Sequence, residues 1–184
     1  MPAFEVSSIY VGGLKKALAP LKLTPAELAT MSEVARHALE APNSARWFPG
    51  EVMFDVLSGV AEHRGFKAVQ EVNVAVTSGP LLTVVGPLLR VALAFSKSPV
   101  SAAMSRIQQF GGSAIRNVTL EWRETTPKTG DLTITYEMER IPHEVMEHAW
   151  RGVFLAMNKI IGAETRIEKA DAPNPRTLLL HFAW

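Results

Sequence analysis

Residues 118–140 read VTLEWRETTPKTGDLTITYEMER, and the fold turns on how this stretch is read. Val118, Leu120 and Trp122 alternate with Thr119, Glu121 and Arg123; further on, Leu132, Ile134, Tyr136 and Met138 alternate with Thr133, Thr135, Glu137 and Glu139. A period of two belongs to a strand with one buried face, because successive side chains leave the pleat on opposite sides. Between the two runs lies Thr126-Pro127-Lys128-Thr129-Gly130, rich in turn formers, so the stretch predicts a hairpin. Pro142 then opens the longest helical pattern, which runs to Ile161 and is closed by Gly162. Its apolar stripe contains Val145, Met146, Ala149, Trp150, Phe154 and Met157. Two further strands are expected, about Thr165–Lys169 and Thr177–Trp184, the second with Leu178, Leu180, Phe182 and Trp184 on one face. The C-terminal part is thus β-β-α-β-β.

Upstream the period is helical. Val11 to Leu18 is a short helix ended by Pro20. Thr24-Pro25-Ala26-Glu27 is a capping box that opens a helix to about Leu39, with Leu28, Met31, Val34, Ala35 and Leu39 on its apolar face. Pro49 starts another helix, which Gly65 ends after Arg64. Phe66–Ser78 and Pro80–Phe95 follow, apolar nearly all round, and Ser98-Pro99 opens a helix that stops at Gly111-Gly112. The expected architecture is α+β: a helical N-terminal half packed on a four-stranded antiparallel sheet, as a single domain over residues 1–184.

Composition removes several classes of function. The 184 residues include no cysteine, which excludes disulfides, thiolate metal sites and cysteine nucleophiles. Nineteen Lys and Arg against 18 Asp and Glu leave a net charge of +1 with no basic stripe, so a nucleic-acid partner is not expected. Val72 to Leu89 carries no charge, but Gly79-Pro80 and Gly86-Pro87 break it, and we read buried helix there, not a membrane span. The N-terminus MPAFEVSSIY lacks the features of a secretory signal, so the expected location is cytoplasmic.

Few residues suggest chemistry. His143-Glu144-Val145-Met146-Glu147-His148 approaches a zinc-protease helix, but its second histidine lies five positions on, about 140° around the helix, instead of four. Glu144 and His148 share a face and fall short of a metal site. His37, His63 and His181 are isolated. No Gly-x-Ser-x-Gly elbow and no phosphate-cradling glycine motif occurs, so no catalytic residue, metal or cofactor is expected, and the chain is read as non-enzymatic. What stands out is apolar excess: the helices of 66–95, the Trp150 stripe and the strand faces with Trp122 and Tyr136. This fits a well-filled core, an apolar ligand pocket between helices and sheet, or a helix-lined dimer interface.

The C-terminal third, Gly130 to Trp184, resembles the end of the superfamily comprising haem-nitric-oxide-binding (H-NOX) domains, 4-vinyl-reductase-like domains and the TRAPP subunits of Golgi transport. Arg46-Trp47-Phe48-Pro49, the FSKSP step at 95–99, the LTITYEMER strand, the Trp150-Arg151-Gly152 helix and the closing HFAW are similar to a paralogous family of about this length expanded in myxobacteria. In H-NOX domains a Tyr-x-Ser-x-Arg motif on the equivalent strand holds the haem propionates. Here the string is Tyr136-Glu137-Met138-Glu139-Arg140, with Met138 in the serine's place. The iron-binding histidine of that family lies on the helix before the strand pair, where this chain reads PVSAAMSRIQQF and has none. The resemblance therefore implies an H-NOX-like fold without haem, acting as a sensor or adaptor. Its expected ligand is an apolar small molecule or acyl chain between helices and sheet, bound by Tyr136, Arg140, Trp150, Trp122 and Met138, with Arg140 pairing an acidic head group. The alternative, which the TRAPP resemblance suggests, is a homodimeric or partner-binding interaction module without ligand, its apolar face on the helices around 80–95.

Overall fold

The computed structural model describes residues 3–81, 86, 87, 93 and 98–184. Helix α1 (Ser8–Leu18) is capped by Ser7, whose hydroxyl accepts from the Tyr10 amide at 3.2 Å. The capping box forms as expected at α2 (Pro25–Ala29): the Glu27 amide donates to Thr24 Oγ1 at 3.3 Å, and the Thr24 amide to Glu27 Oε2 at 2.6 Å. The helix expected from Pro25 to Leu39 is nevertheless two. Ser32 acts as a second N-cap, accepting from the Ala35 amide at 3.2 Å, and starts α3 (Glu33–Glu40). The new start changes the phase of the apolar face, so Ala35, Ala38 and Leu39 are buried while Val34 is 57% exposed.

Helix α4 (Glu51–Val76) is bent at Gly65, where φ is 78° and ψ is 170°. That region of backbone space is essentially confined to glycine, so the glycine expected to end one helix sets the angle between two arms. A π-helical turn, Thr77–Leu81, follows. The expected helix Pro80–Phe95, and the dimer face placed there, fall mostly outside the described residues. Ser98-Pro99 opens a helix as expected, but α5 (Pro99–Met104) and α6 (Ile107–Gly111) are separate, because Arg106 at φ −112° and ψ 8° leaves the helical region.

A small sheet escaped the sequence reading. Strand β1 (Glu5–Ser7) lies between β2 (Trp47–Pro49) and β3 (Ile115–Arg116), antiparallel to both. Pro49 therefore ends a strand, and the helix begins two residues later. Phe4, just before β1, is buried and ties this sheet to the larger one, its amide donating to the Glu137 carbonyl at 3.0 Å.

The main sheet is the expected four-stranded antiparallel one. It contains β4 (Val118–Thr126), β5 (Thr129–Tyr136), β6 (Arg166–Asn174) and β7 (Thr177–Ala183), in the order β4-β5-β7-β6. The register sets Leu132 opposite Leu180 and Ile134 opposite both Leu178 and Leu120, so one face is continuously apolar. Helix α7 (His143–Ile161) covers that face, and Gly162 closes the helix in the left-handed conformation. On its other side α7 packs against α4, with Gly152 at the crossing: a β-carbon added there would sit 2.3 Å from the Gln70 carbonyl oxygen. The layers are thus α4, α7 and sheet, with one core cluster running through them. The fold is α+β, with the helical half packed on the β-β-α-β-β unit.

Candidate functional site

The interface between α7 and the sheet is an aromatic seam. β5 ends at Tyr136, wholly buried, whose amide donates to the Arg176 carbonyl at 3.0 Å. Trp150 reaches across from α7, and its Nε1–H donates to Tyr136 Oη at 2.9 Å. Phe4 and Phe54 stand edge-on to the Tyr136 ring at centroid separations of 5.1 and 5.9 Å, a geometry that aligns ring edges with the negative face of a neighbour. From Trp150 the contacts continue through Phe154 at 5.9 Å to Phe182 at 4.6 Å, then to Trp122 at 5.9 Å and Trp184 at 5.8 Å. Three of the five expected ligand residues, Tyr136, Trp150 and Trp122, thus share one continuous contact path.

The other two lie at its edge. After Tyr136 the chain turns sharply, the Met138 amide donating to the Tyr136 carbonyl at 2.9 Å, and the strand does not continue to Met138 as its alternation predicted. Met138 is half-buried against the core, and Arg140 is exposed while Tyr136 is wholly buried. Arg140 makes no hydrogen bond or ion pair among the described residues. At the opposite end of the seam, Trp122 lies over Gly130, where a β-carbon would come within 2.3 Å of the indole ring. Its Nε1 is buried without a hydrogen-bond partner among the described residues.

A second buried polar pair lies behind the seam and was not legible from the chain. Tyr10 Oη donates to Asn73 Oδ1 at 3.0 Å, and Asn73 Nδ2 donates to the Val69 carbonyl at 3.0 Å. Burial pushes both phenols well above their ordinary range; for Tyr10 the nearby Tyr136 adds to the shift, and for Tyr136 the bond from Trp150 opposes it. Both are therefore neutral hydrogen-bonding groups at physiological pH.

Four of the five histidines make ring or polar contacts, and one of these, His148, keeps its Nδ1 buried without a hydrogen-bond partner among the described residues. His148 stacks on Phe66 with centroids 4.8 Å apart, while Glu144 on the same helix face is exposed. His143 Nε2 lies 3.0 Å from the Asn174 carbonyl and 3.2 Å from that of Thr177, fastening the start of α7 to the β6–β7 turn. His63 Nε2 is 3.2 Å from Thr30 Oγ1, and His37 is exposed. His181, on the outward face of β7, holds Asp131 at 2.8 Å on one ring nitrogen and Asp171 at 3.0 Å on the other. The Lys169 ammonium, and after it His181, hold the Asp171 carboxyl below its ordinary range. This clamp joins β5, β7 and β6; its signal was the outward alternation of Asp131 and His181, which becomes a pair only through the register. Among the described residues no cluster of three or more His, Asp or Glu side chains is arranged to hold a metal, and no helix is long and apolar enough to cross a membrane.

The layered helices, the β-β-α-β-β unit and the seam between them define an H-NOX-like α+β fold. Comparison with solved structures gives the same class. The chain matches the Fe(II) unliganded H-NOX protein from K. algicida with a TM-score of 0.64 at 11% identity, over 96% of this chain and 95% of that one. It also matches an oxygen-binding H-NOX domain related to soluble guanylate cyclases with a TM-score of 0.51 at 11% identity, over 94% and 92% of the two chains. No protein-family model matches the chain, and no curated protein matches it in sequence.

Proposed function

We propose that this chain is a haem-free sensor or adaptor domain, a single cytoplasmic unit over residues 1–184, that binds an apolar small molecule or acyl chain between its helical layer and its sheet. Kinship with the paralogous family expanded in myxobacteria is part of the same proposal. The observation that carries the haem-free reading is the Trp150–Tyr136 hydrogen bond. In the resembling domains the tyrosine and arginine of the motif face haem propionates; here the tyrosine's oxygen is taken by an indole, its ring is enclosed by Phe4 and Phe54, and the arginine lies outside. An axial ligand is missing as well, since none of the five histidines lies on α5 or α6. These residues do not fit a haem held in that manner.

A ligand between the layers has two features of the seam to work with. Trp122 Nε1 is a buried donor without an acceptor, which costs free energy until something accepts from it. At the other end, unpaired Arg140 beside half-buried Met138 offers a charge for an acidic head group. The interaction-module reading has its apolar face around 80–95, mostly outside the described residues. Among the described residues the exposed large apolar side chains Ile9, Val34 and Leu155 lie on three different helices, and single ones are ordinary on a protein surface.

Native mass spectrometry of the purified chain tests the ligand. The expected spectrum shows a monomer carrying extra mass that disappears on denaturation. A bare monomer that takes up no added lipid overturns the ligand reading, and a bare dimer replaces it with the interaction module.

A further inference from the structure

A cleft of about 400 Å³ opens on the helical half, between α1, α3 and the turn that joins α1 to α2. Its floor is apolar: Leu18 and Leu39 are buried, and Leu23 and Leu28 half-buried. Its rim carries Lys15, Lys22 and Arg36 against one carboxylate, Glu40. Lys15 is already engaged, donating to the Glu40 carbonyl at 2.9 Å as last-turn cations commonly do at a helix C-terminus. The side chains of Lys22 and Arg36 make no hydrogen bond or ion pair among the described residues. Lys22 has a further peculiarity: its backbone is left-handed, at φ 47° and ψ 55°. A non-glycine residue there costs about 1–2 kcal/mol. The chain thus holds a lysine on the lip of an apolar cleft at a position where glycine would be relaxed, and such strain concentrates at ligand clamps.

We propose that this cleft binds a single-chain amphiphile with a carboxylate head, the leucine floor taking the chain and Lys22 and Arg36 the head group. The volume falls within the roughly 300–1,000 Å³ range of small-molecule sites. The cleft is a second site, apart from the one proposed above, and shares no residue with the Tyr136–Trp150 seam, so the two fail separately.

Titration of the full chain with dodecanoate below its micelle concentration, followed by methyl and amide NMR shifts, tests this. Dodecyltrimethylammonium and acetate serve as parallel probes. Dodecanoate should give saturable shifts at Leu18, Leu23, Leu28 and Leu39, the ammonium chain should bind at least tenfold more weakly, and acetate should not bind. Lys22→Glu/Arg36→Glu, at two exposed positions, should keep the circular-dichroism spectrum and lose at least tenfold in dodecanoate affinity. Lys22→Gly should raise the melting temperature while weakening binding, a combination that a purely structural lysine would not produce. No saturable shift, equal binding of the cationic chain, or unchanged affinity in the double variant would overturn the proposal. Shifts confined to Tyr136, Trp150 and Trp122 would also overturn it, and would favour the seam instead.

Discussion

Gly152→Ala should lower the thermal midpoint by about 4–8 °C, given roughly 2–4 °C per kcal/mol for a chain of this size. The sign comes from two opposed effects. Removing a helix-interior glycine gains about 0.5–1 kcal/mol in conformational entropy. Against that, the new methyl would lie 2.3 Å from the Gln70 carbonyl oxygen and 2.9 Å from Asn73 Cβ. Neither neighbour is the free end of a flexible side chain, so α4 and α7 must separate or the backbone must shift. Overpacking of a filled core costs about 1–3 kcal/mol and sometimes more. A 2.3 Å approach to backbone belongs at the upper end, about 3 kcal/mol, so after the glycine gain a net loss of about 2 kcal/mol is expected. The disturbance would also reach Tyr10, because Asn73 is its hydrogen-bond acceptor. Thermal unfolding followed by circular dichroism decides the matter. A midpoint at or above wild type would mean that helix propensity prevails and that the crossing is looser than described.

The second large effect concerns the seam. Tyr136→Phe leaves Trp150 Nε1–H buried without an acceptor, at an expected cost of about 1–3 kcal/mol. Trp150→Phe removes the donor and part of the packing on Phe154, and should cost at least as much. The double variant should lose less than the sum, because it removes both members of the hydrogen bond, with a coupling of about 1–2 kcal/mol in the range measured for contacting pairs. Urea unfolding of the four proteins yields this coupling directly. Additive losses would mean that the indole and the phenol are neighbours without a working bond.

How legible these features were depended on the length of the pattern that encodes them. The alternation at 118–139 and the stripe of 143–161 extend over enough residues for the period to declare itself. The helix starts one residue after Pro142, while the hairpin strands run about three residues further into the turn than expected and the second stops at Tyr136. Strands β1, β2 and β3 have two or three residues each, too few to show any period, and they exist through pairing with one another. At Ser32 two local signals competed: the stripe Leu28, Met31, Ala35 argued for continuity, while a serine with an acidic neighbour argued for a new start, and capping prevailed. Tyr136 and Trp150 were legible as core-facing aromatics, but their hydrogen bond depends on how far α7 stands from the sheet, which no periodicity encodes. Arg140 shows the same limit from the other side. A strand extended through residue 138 sets 136, 138 and 140 on one face; the turn at Met138 breaks that face and leaves the arginine outside.

The proposal that this H-NOX-like fold does without a histidine-ligated haem rests on the Trp150–Tyr136 seam and on the absence of histidine from α5 and α6. Adding haemin to the purified chain while recording the absorption spectrum tests this most directly. The expected result is a broad, unsaturated Soret response that Ala substitution of any single histidine leaves unchanged. A sharp band saturating at one haem per chain, and lost in a single histidine variant, would contradict it.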